Sequence, residues 1–456
     1  MSRWTEKRVL IVGLGVSGRS AAEFLLARHA NVVGVDSNED LINNDDAVLK
    51  LRQNGLQVAS KINIDAIAGF DCVVVSPGVP RSNLYYKEAL SVGVEVVGEV
   101  ELICREISKK CIGITGTNGK TTVTLLITHI LNNAGIKAEA IGNIGVPLNS
   151  ITDSNTDVFV IELSSFQLET LKTPFLDVAV LLNITPDHLD RYESMDDYAS
   201  AKISIENCLK NEAHLFVEEK CFQDYSSLFR RKNHLLYGYS SNCFLYTDFH
   251  FICCENKKID VGMKKRCHDL ENMMAVYAVC HSLGVSDDAF LRGLNTFKKP
   301  PHRIEFICNH LGIDYYDDSK GTNIDAVIRA VDSIEKTIVL IAGGVDKGFP
   351  YTPWLKAFNG KVKSICAIGQ SAVKIKDQLD HAIPVHLCET LEKAVVCATK
   401  LAVPGEAILL SPGCSSFDMF KDYAHRGEEF QQILRGIEFL RFPLRESSCG
   451  STIANG

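Results

Sequence analysis

The sequence lacks any apolar run of about 18 residues, the length that a membrane-spanning helix needs. It also lacks an excess of positive charge, because 48 Lys and Arg stand against 56 Asp and Glu, for a formal net charge of −8. A nucleic-acid-binding surface requires a basic patch, so we expect no nucleic-acid partner. The first apolar segment, Arg8–Val12, is too short for the core of a signal peptide. We therefore expect a cytoplasmic protein that has no membrane partner.

The sixteen cysteines lack the spacing of a metal or disulfide framework. No two of them are arranged as Cys-x-x-Cys, and most lie within apolar runs. A cysteine in such a run behaves as a small buried hydrophobic residue, and a long cytosolic chain does not need cross-links. We interpret the cysteines as packing residues in a reducing compartment.

Short apolar segments alternate with helical segments along the chain, which predicts parallel sheets covered on both faces. The length is typical of about three domains. We predict an α/β fold of three tandem domains: Rossmann-like (1–97), a central domain with a mostly parallel sheet (98–300) and Rossmann-like (301–445), before a flexible tail (446–456). The short aromatic and β-branched segments within residues 211–262 predict small antiparallel strands.

The most informative segment is a glycine-rich loop between a predicted strand and a predicted helix, Thr115-Gly-Thr-Asn-Gly-Lys-Thr-Thr122. Such a loop points backbone N–H groups and a helix N-terminus at one place, which favours an anion. Lys120 is placed to reach the outer phosphates of a nucleoside triphosphate, and Thr121 to ligate Mg²⁺. The first glycine is out of the usual P-loop register, because residue 114 is isoleucine. We predict a triphosphate site; the alternative is a turn that only joins two packed elements.

A second glycine-rich loop, Gly13–Gly18, follows the first predicted strand, and Asp36 ends the next one. This arrangement is typical of a dinucleotide site. However, the chain already has a triphosphate site, and Ser76–Gly78 ends a third strand at the same edge. We therefore predict a nucleotide-diphosphate substrate in this crevice. A dinucleotide cofactor, which would indicate an NAD-dependent oxidoreductase, and a packing turn are the alternatives.

Candidate metal ligands follow two strands of the central domain. Glu162 ends a buried strand, where a carboxylate is costly unless it is paired or metal-bound. His188 follows the next strand with two acidic residues, and together with Thr121 these groups predict an Mg²⁺ site. A buried ion pair for Glu162 and an ordinary helix-start position for His188 are the alternatives. Composition alone predicts that Lys202 is a solvated surface lysine.

Three loops of the C-terminal domain follow predicted strands and carry lysines and hydroxyl groups: 316–323, 342–348 and 411–417. A lysine and hydroxyl groups at a helix start favour an anion. We expect Lys320, Lys347 and Ser416 to converge on a crevice that suits a substrate with a carboxylate. Tight turns with incidental lysines are the alternative.

Together these segments resemble the Mur ligase superfamily along almost the whole chain, from Gly13–Gly18 to Ser411–Phe420. The loop Gly116–Thr122 resembles the P-loop form of that family, which accounts for its glycine register. Glu162–Glu169, Asp318–Asn323 and the segment that begins at Ser411 are most similar to the branch that adds D-glutamate.

The resemblance implies an ATP-dependent amide ligase that adds D-glutamate to UDP-N-acetylmuramoyl-L-alanine through an acyl phosphate, a cytoplasmic step of peptidoglycan synthesis. It implies a monomer that uses ATP and two Mg²⁺ ions. It also implies that CO₂ carbamylates Lys202, which would then be an anionic metal ligand instead of a surface lysine. The alternatives are a Mur ligase for another amino acid and a folylpolyglutamate-synthase-like ligase.

The resemblance also implies roles for individual residues. The ATP-binding residues would be Gly116, Thr117, Asn118, Gly119, Lys120, Thr121, Thr122, Asn272, Arg303 and Asp318. The UDP-substrate would contact Ser17, Ser37, Ser76, Gly78, Asn143 and His188. D-glutamate would contact Thr322, Lys347, Ser416 and Tyr423. The metal ligands would be Thr121, Glu162, His188 and Lys202, and the catalytic residues Lys120, His188 and Lys202. Two departures from the family pattern are Asp269 in place of an asparagine near the adenine, and the lack of a basic residue at Ser37-Asn38.

Overall fold

The structure is a computed structural model that describes residues 2–144, 155–189, 191–248, 250–254, 257–262 and 268–441, without the side chains of residues 268 and 437–441. The chain forms two compact units, of which the first ends at Lys298 and the second begins at Lys299. Within the described ranges no helix is long and apolar enough to cross a membrane. The predicted tail, 446–456, lies outside these ranges.

The first sheet lies in residues 2–144. Its strands and the helices around them are β1 (Arg8–Val12), α1 (Val16–Leu26), β2 (Asn31–Val35), α2 (Glu39–Asn44), α3 (Asp46–Gln53), β3 (Gln57–Ala59), β4 (Cys72–Val75), α4 (Leu84–Ser91), β5 (Glu95–Val97) and α5 (Glu99–Cys104). The strands are parallel in the order β3-β2-β1-β4-β5. Val9 and Ile11 of β1 pack into one hydrophobic cluster and Leu10 into another, so both faces are covered, as predicted.

The second sheet belongs to the same unit. Its elements are β6 (Lys110–Thr115), α6 (Lys120–Asn133), β7 (Ala138–Gly142), β8 (Val158–Glu162), α7 (Ser165–Leu168), β9 (Leu176–Leu181), α8 (Met195–Ile203), β10 (Leu209–Glu218), α9 (Glu219–Tyr225), β11 (His234–Gly238), β12 (Leu245–Thr247), β13 (Phe251–Cys254), β14 (Lys257–Asp260), α10 (His268–Ser282) and α11 (Asp287–Thr296). The strand order is β14-β13-β12-β11-β10-β9-β6-β8-β7. The glycine-rich loop after β6 therefore lies between the ends of β8 and β9.

The prediction of small antiparallel strands in residues 211–262 is partly wrong. Strands β10, β11 and β12 extend the parallel sheet from β9, whereas the pairs β12–β13 and β13–β14 are antiparallel. The connection between β10 and β11 contains α9 and is long enough to return the chain to the same edge, which allows parallel pairing. Short connections on both sides of β13 favour hairpins instead.

The second unit contains one sheet in residues 299–441. Its elements are β15 (Glu305–His310), β16 (Ile313–Asp317), α12 (Ile324–Ser333), β17 (Ile338–Gly343), α13 (Pro353–Phe358), β18 (Val362–Ile368), α14 (Ala372–Leu379), β19 (Val385–Leu387), α15 (Leu391–Leu401), β20 (Ala407–Leu410) and α16 (Tyr423–Arg441). The order is β15-β16-β20-β17-β18-β19, parallel except for the hairpin β15–β16. The predicted α/β class with three sheets in tandem is confirmed. The loops after β16, β17 and β20 end neighbouring strands.

Candidate active site

The glycine-rich loop after β6 has a backbone that only glycine adopts readily. Gly116 has φ +149° and Gly119 has φ +89°. A Cβ on Gly116 would lie 2.9 Å from Cβ of Leu182. Asn183, just after β9, fixes the loop, because its backbone oxygen accepts from the Thr117 N–H at 2.8 Å and its Oδ1 from the Asn118 N–H at 2.8 Å. The neighbouring strand end therefore shapes the loop for an anion.

Two lysines meet at the backbone oxygen of Gly116. Lys120, the first residue of α6, donates from Nζ to this oxygen at 2.8 Å and to the oxygen of Thr117 at 2.9 Å. Lys202 donates from Nζ to the same Gly116 oxygen at 2.8 Å. The loop thus holds one amine on the helix that it opens and a second amine from α8.

Lys202 is only 2% exposed, so its interpretation as a surface lysine is wrong. Tyr198 and Lys202 are four residues apart on α8, and this shared face is turned toward the loop and away from solvent. Burial, and next the charge of Lys120, hold the pKa of Lys202 well below its usual range. An ammonium group cannot ligate a cation, whereas a neutral amine can be modified chemically.

Glu162 offers an unused ligand atom beside the loop. It is the last residue of β8, 2% exposed, and pairs in register with Ile114 of β6. Its Oε1 accepts from Nδ2 of Asn143 at 3.0 Å, while its Oε2 is buried with no hydrogen-bond partner in the described part of the chain. An unsatisfied buried acceptor costs about 1–3 kcal/mol. A carboxylate oxygen in this position fits Mg²⁺, with Thr121 in the first turn of α6 as a further oxygen donor.

His188 lies in the loop between β9 and α8, with φ +57°. It is therefore not at a helix start, because α8 begins at Met195. Its side chain is 37% exposed, its Nε2 lies 3.6 Å from Oδ2 of Asp187, and its ring packs edge-on against Phe166 at 4.9 Å between centroids. The ring also lies 6.2 Å, between centroids, from that of Tyr198, which is one turn before Lys202 on α8.

Asn272 of α10 lies directly against the glycine-rich loop. A Cβ on Gly119 would be 2.5 Å from Oδ1 of Asn272. Asp269 lies one turn earlier on the same helix. Thr122 is half-buried in the first turn of α6. The ATP-binding residues predicted in the first unit therefore surround one loop, whereas Arg303 and Asp318 belong to the second unit.

A cavity of about 1130 Å³ opens beside the first sheet. It is lined by five of the six residues predicted for the UDP-substrate, namely Ser17, Ser37, Ser76, Gly78 and Asn143. His188 is not among the residues that line it. Asn143 also bonds Glu162, so a single side chain joins the cavity to the candidate metal position.

Asp36 braces the first glycine-rich loop. Its Oδ2 accepts from the Leu14 N–H at 2.7 Å and its Oδ1 from the Asn38 N–H at 2.9 Å. In a dinucleotide site the acid at this position is directed at a ribose. Both oxygens are used for backbone contacts here, which favours a structural role.

Sequence reasoning missed several residues that line this cavity. Lys61 follows β3, a strand that was not predicted. It supplies a basic side chain to the cavity, which Ser37-Asn38 does not. Glu99 is 4% exposed and accepts from Nε2 of Gln167 at 3.1 Å, and burial raises the pKa of Glu99. Only Gln167 had a signal in the sequence, because it lies within the segment Glu162–Glu169.

In the second unit the three loops predicted to converge are hydrogen-bonded to one another. The Gly413 N–H donates to the oxygen of Gly321 at 2.8 Å, and the Val345 N–H donates to the oxygen of Ser415 at 2.9 Å. The predicted contacts of D-glutamate lie on or beside these loops; Ser416 is buried, and Thr322, Lys347 and Tyr423 are half-buried. Lys320 Nζ lies 3.7 Å from the ring centroid of Tyr423.

A buried arginine, also missed from the sequence, holds these loops together. Arg426 is 0% exposed and donates from Nε to Oγ of Ser319 at 2.9 Å, from Nη2 to the oxygen of Ser319 at 2.8 Å and from Nη1 to the oxygen of Cys414 at 3.2 Å. Nearby, Asp318 accepts from Oγ of Ser411 at 2.7 Å, and burial raises the pKa of Asp318 to about 7, while the charge of Arg303 opposes this shift.

Comparison with known proteins agrees with this geometry. Family models match residues 7–98 (Mur ligase MurD-like, N-terminal domain), 114–280 (Mur ligase middle domain) and 302–414 (Mur ligase, glutamate ligase domain). The UDP-N-acetylmuramoylalanine--D-glutamate ligase of Protochlamydia amoebophila (strain UWE25) is 49% identical over 94% of this chain and 98% of its own length. The enzyme of that name from Caldanaerobacter subterraneus subsp. tengcongensis is 37% identical over 95% and 99%. The crystal structure of MurF from Acinetobacter baumannii shares the fold, with a TM-score of 0.60 at 15% identity over 92% of this chain and 93% of that one. The chain belongs to the Mur ligase family.

Proposed function

We propose that the protein joins UDP-N-acetylmuramoyl-L-alanine to D-glutamate in an ATP-dependent reaction. The observation that carries this proposal is the position of Asn143, which lines the 1130 Å³ cavity and bonds Glu162 beside the glycine-rich loop. A substrate in the cavity would thus extend toward the triphosphate. The identity of both substrates is supported by the names of relatives that are up to 49% identical to this chain.

The chemistry follows from the difficulty of forming an amide from a carboxylate in water. The alanine carboxylate attacks the γ-phosphorus of ATP, and ADP leaves with the bonding electron pair. The amine of D-glutamate then attacks the acyl phosphate and gives up a proton, and the tetrahedral intermediate collapses to the amide and inorganic phosphate, which leaves with the electron pair of the broken C–O bond and takes up the proton. Lys120 stabilises charge on the transferring group. Thr121 and Glu162 would hold Mg²⁺, which neutralises phosphate charge when it is bound.

We also propose that Lys202 becomes a carbamate. Its neutral amine would form an N–C bond to CO₂ and release one proton, which converts the neutral side chain into an anionic oxygen ligand. The low exposure of Lys202 and its lowered pKa support this step, because only the neutral amine is nucleophilic. His188 and the carbamate would then serve a second Mg²⁺.

The carbamate has a test that does not depend on activity. Protein equilibrated with ¹³C-bicarbonate should show one carbamate carbon resonance that is absent in Lys202→Ala. Lys210→Ala is the matched control, because Lys210 is a half-exposed lysine paired with Asp177 at 3.0 Å. Lys202→Ala should also lose ligase activity and regain part of it with short carboxylic acids. Full activity without a carbamate resonance in the wild type would refute this part of the proposal.

For the amino acid we propose contacts with Thr322, Lys347, Ser416 and Tyr423, and for ATP further contacts with Arg303 and Asp318 of the second unit. The hydrogen-bonded loops around Gly321 and Gly413 support a single amino-acid site. We propose that the enzyme is a cytoplasmic monomer, in keeping with its use of ATP and soluble precursors.

A phosphate-release assay with a panel of amino acids tests the proposed function. Release should require ATP, UDP-N-acetylmuramoyl-L-alanine and D-glutamate together. Faster release with L-alanine, glycine or a diamino acid would refute the substrate assignment and favour another Mur ligase. Turnover with a folate in place of the UDP-substrate would favour the folylpolyglutamate-synthase-like alternative. A change in nicotinamide absorbance without phosphate release would favour the oxidoreductase.

A further inference from the structure

Three thiols from separate elements meet on one face of the sheet in the second unit. Cys366 lies in β18, Cys388 directly follows β19, and Cys397 lies in α15. Their Sγ atoms are all within 4.8 Å of one another. Cys366 is buried, whereas Cys388 and Cys397 are half-buried, so the cluster can be reached from solvent. No residue of this cluster has a part in the proposed ligase chemistry.

The geometry fits a soft metal ion. Zinc binds thiolate sulfur at about 2.3 Å, which places the sulfurs of one site roughly 3.8–4.0 Å apart. The three sulfurs already lie within 4.8 Å of one another, so they need to approach by at most about 1 Å to reach this spacing. Sulfur ligands select thiophilic ions such as Zn²⁺ and Cd²⁺ and disfavour Mg²⁺, which prefers oxygen. We propose that Cys366, Cys388 and Cys397 bind one Zn²⁺-like ion, whose remaining position is filled by water.

The backbone already holds two of the ligands in place. The Cys388 N–H donates to the oxygen of Ala367 at 2.8 Å, which ties the residue after β19 to the strand that carries Cys366. The Cys388 thiol donates to the oxygen of His386 at 3.7 Å. A bound ion would add a link from this sheet edge to α15. Only the thiolate binds a metal ion, so binding would release thiol protons and affinity should increase with pH.

A second cluster of possible metal ligands in the same unit differs because its ligand atoms are already hydrogen-bonded. His302 Nδ1 and Asp317 Oδ2 are 2.7 Å apart, and Gln431 Nε2 donates to the same Asp317 oxygen at 2.9 Å. Glu305 Oε2 accepts from the His302 N–H at 2.9 Å. These ligand atoms already bond one another or Gln431, so the cluster is a structural network. The thiols make only weak contacts that a metal would replace at little cost.

The test is a titration of the reduced, metal-free, full-length protein with Cd²⁺ in the absence of nucleotide. A thiolate-to-cadmium absorption band should saturate at one ion per chain, and added Zn²⁺ should displace Cd²⁺ and remove the band. Cys397→Ser and Cys388→Ser should each weaken binding roughly tenfold or more, since each removes a direct ligand. Cys308→Ser is the matched control, because Cys308 is also half-buried in the second unit but lies outside the cluster.

A second measurement, of thermal stability, distinguishes the loss of metal binding from the misfolding of a variant. Zn²⁺ should raise the thermal midpoint of the wild type and of Cys308→Ser, and it should not raise that of Cys397→Ser. The absence of a band in the wild type, or an equal band in the triple variant C366S/C388S/C397S, would overturn the proposal. A disulfide that forms within the cluster during mild peroxide treatment, without any metal binding by the reduced protein, would also overturn it. Ligase activity does not enter these readouts, so the result is independent of the proposed function.

Discussion

Replacing Glu162 by glutamine separates the metal-binding role of this residue from any structural role. The side chain is buried, and its Oε1 accepts from Asn143 at 3.0 Å, a bond that the glutamine carbonyl can keep. Its Oε2 has no protein partner to lose within the described ranges. We therefore expect the free energy of unfolding of the nucleotide-free variant to lie within about 1 kcal/mol of the wild-type value.

The effect on Mg²⁺–nucleotide binding should be much larger. Loss of one partner from a buried charge pair costs about 3–5 kcal/mol, so a weakening of at least roughly 100-fold is expected. A wild type at about 100 times its Kd gains about 2.7 kcal/mol from the ligand, whereas a variant bound 100-fold more weakly gains only about 0.4 kcal/mol. For a domain of about 200 residues these gains correspond to shifts in Tm of roughly 5–11 °C and about 1 °C.

The assay is thermal unfolding with and without Mg²⁺ and a non-hydrolysable ATP analogue, with Glu169→Gln as the matched comparison. The Glu169 side chain is also 2% exposed, but it is fully paired, with Arg191 at 3.0 Å, Arg81 at 3.1 Å and Tyr192 Oη at 2.6 Å. Glu169→Gln should therefore lose about 1.5–3 kcal/mol without nucleotide and keep its ligand-dependent shift. A Glu162→Gln protein that keeps the full shift, or that is destabilised as much as Glu169→Gln, would refute the metal position.

Further predictions concern the glycine-rich loop and the second unit. Gly116→Ala should weaken ATP binding by roughly 5- to 150-fold in a nucleotide titration, because φ +149° and the contact with Leu182 add about 1–3 kcal/mol of strain. Gly135→Ala is the matched control, because Gly135 also has a positive φ, +83°, but open space around the added Cβ, and it should bind nucleotide normally. The pKa of Asp318 is about 7 in the folded protein and about 3.9 in the unfolded chain, so the folded state binds more protons between these values. The stability that Asp318 contributes therefore falls as pH rises from about 4 to about 7. The Tm of Asp318→Asn relative to the wild type should therefore increase between about pH 5 and about pH 8. Arg426→Ala should destabilise the second unit by at least about 3 kcal/mol in a thermal unfolding experiment, because it leaves buried acceptors on Ser319 and Cys414 unsatisfied.

Each of these predictions has a contradicting result. Normal nucleotide binding by Gly116→Ala would remove the loop from the ATP site. A Tm difference for Asp318→Asn that is constant with pH would show that this carboxyl group is ionised in the folded protein. An Arg426→Ala protein with wild-type stability would mean that the loops hold their positions without the guanidinium group.

Local patterns in the sequence predict the parts of this fold that depend on neighbouring residues. The glycine-rich loop and the helix that begins at Lys120 were predictable because strand, turn and helix signals follow one another directly. The direction of β10 and β11 was not, because apolar character does not report which edge a strand joins. Parallel pairing there depends on a crossover through α9.

The functional environment of individual residues was harder to predict, because it depends on contacts between distant positions. Lys202 is buried by its approach to Gly116, which is 86 residues away in the chain. Arg426 contacts Ser319 across 107 residues, and nothing in the helix around it distinguishes it from a surface arginine. For Lys202 a signal was nevertheless present, since Tyr198 lies one turn away on the same face of α8.

The most direct test of the account follows an oxygen atom through one turnover. In an acyl-phosphate mechanism the alanine carboxylate of the UDP-substrate attacks ATP, so one carboxylate oxygen must leave with the phosphate. With ¹⁸O in that carboxylate, mass spectrometry of the products should find the label in inorganic phosphate and ADP without label. Unlabelled phosphate, or label in AMP, would contradict the claim that the glycine-rich loop activates this carboxylate as an acyl phosphate.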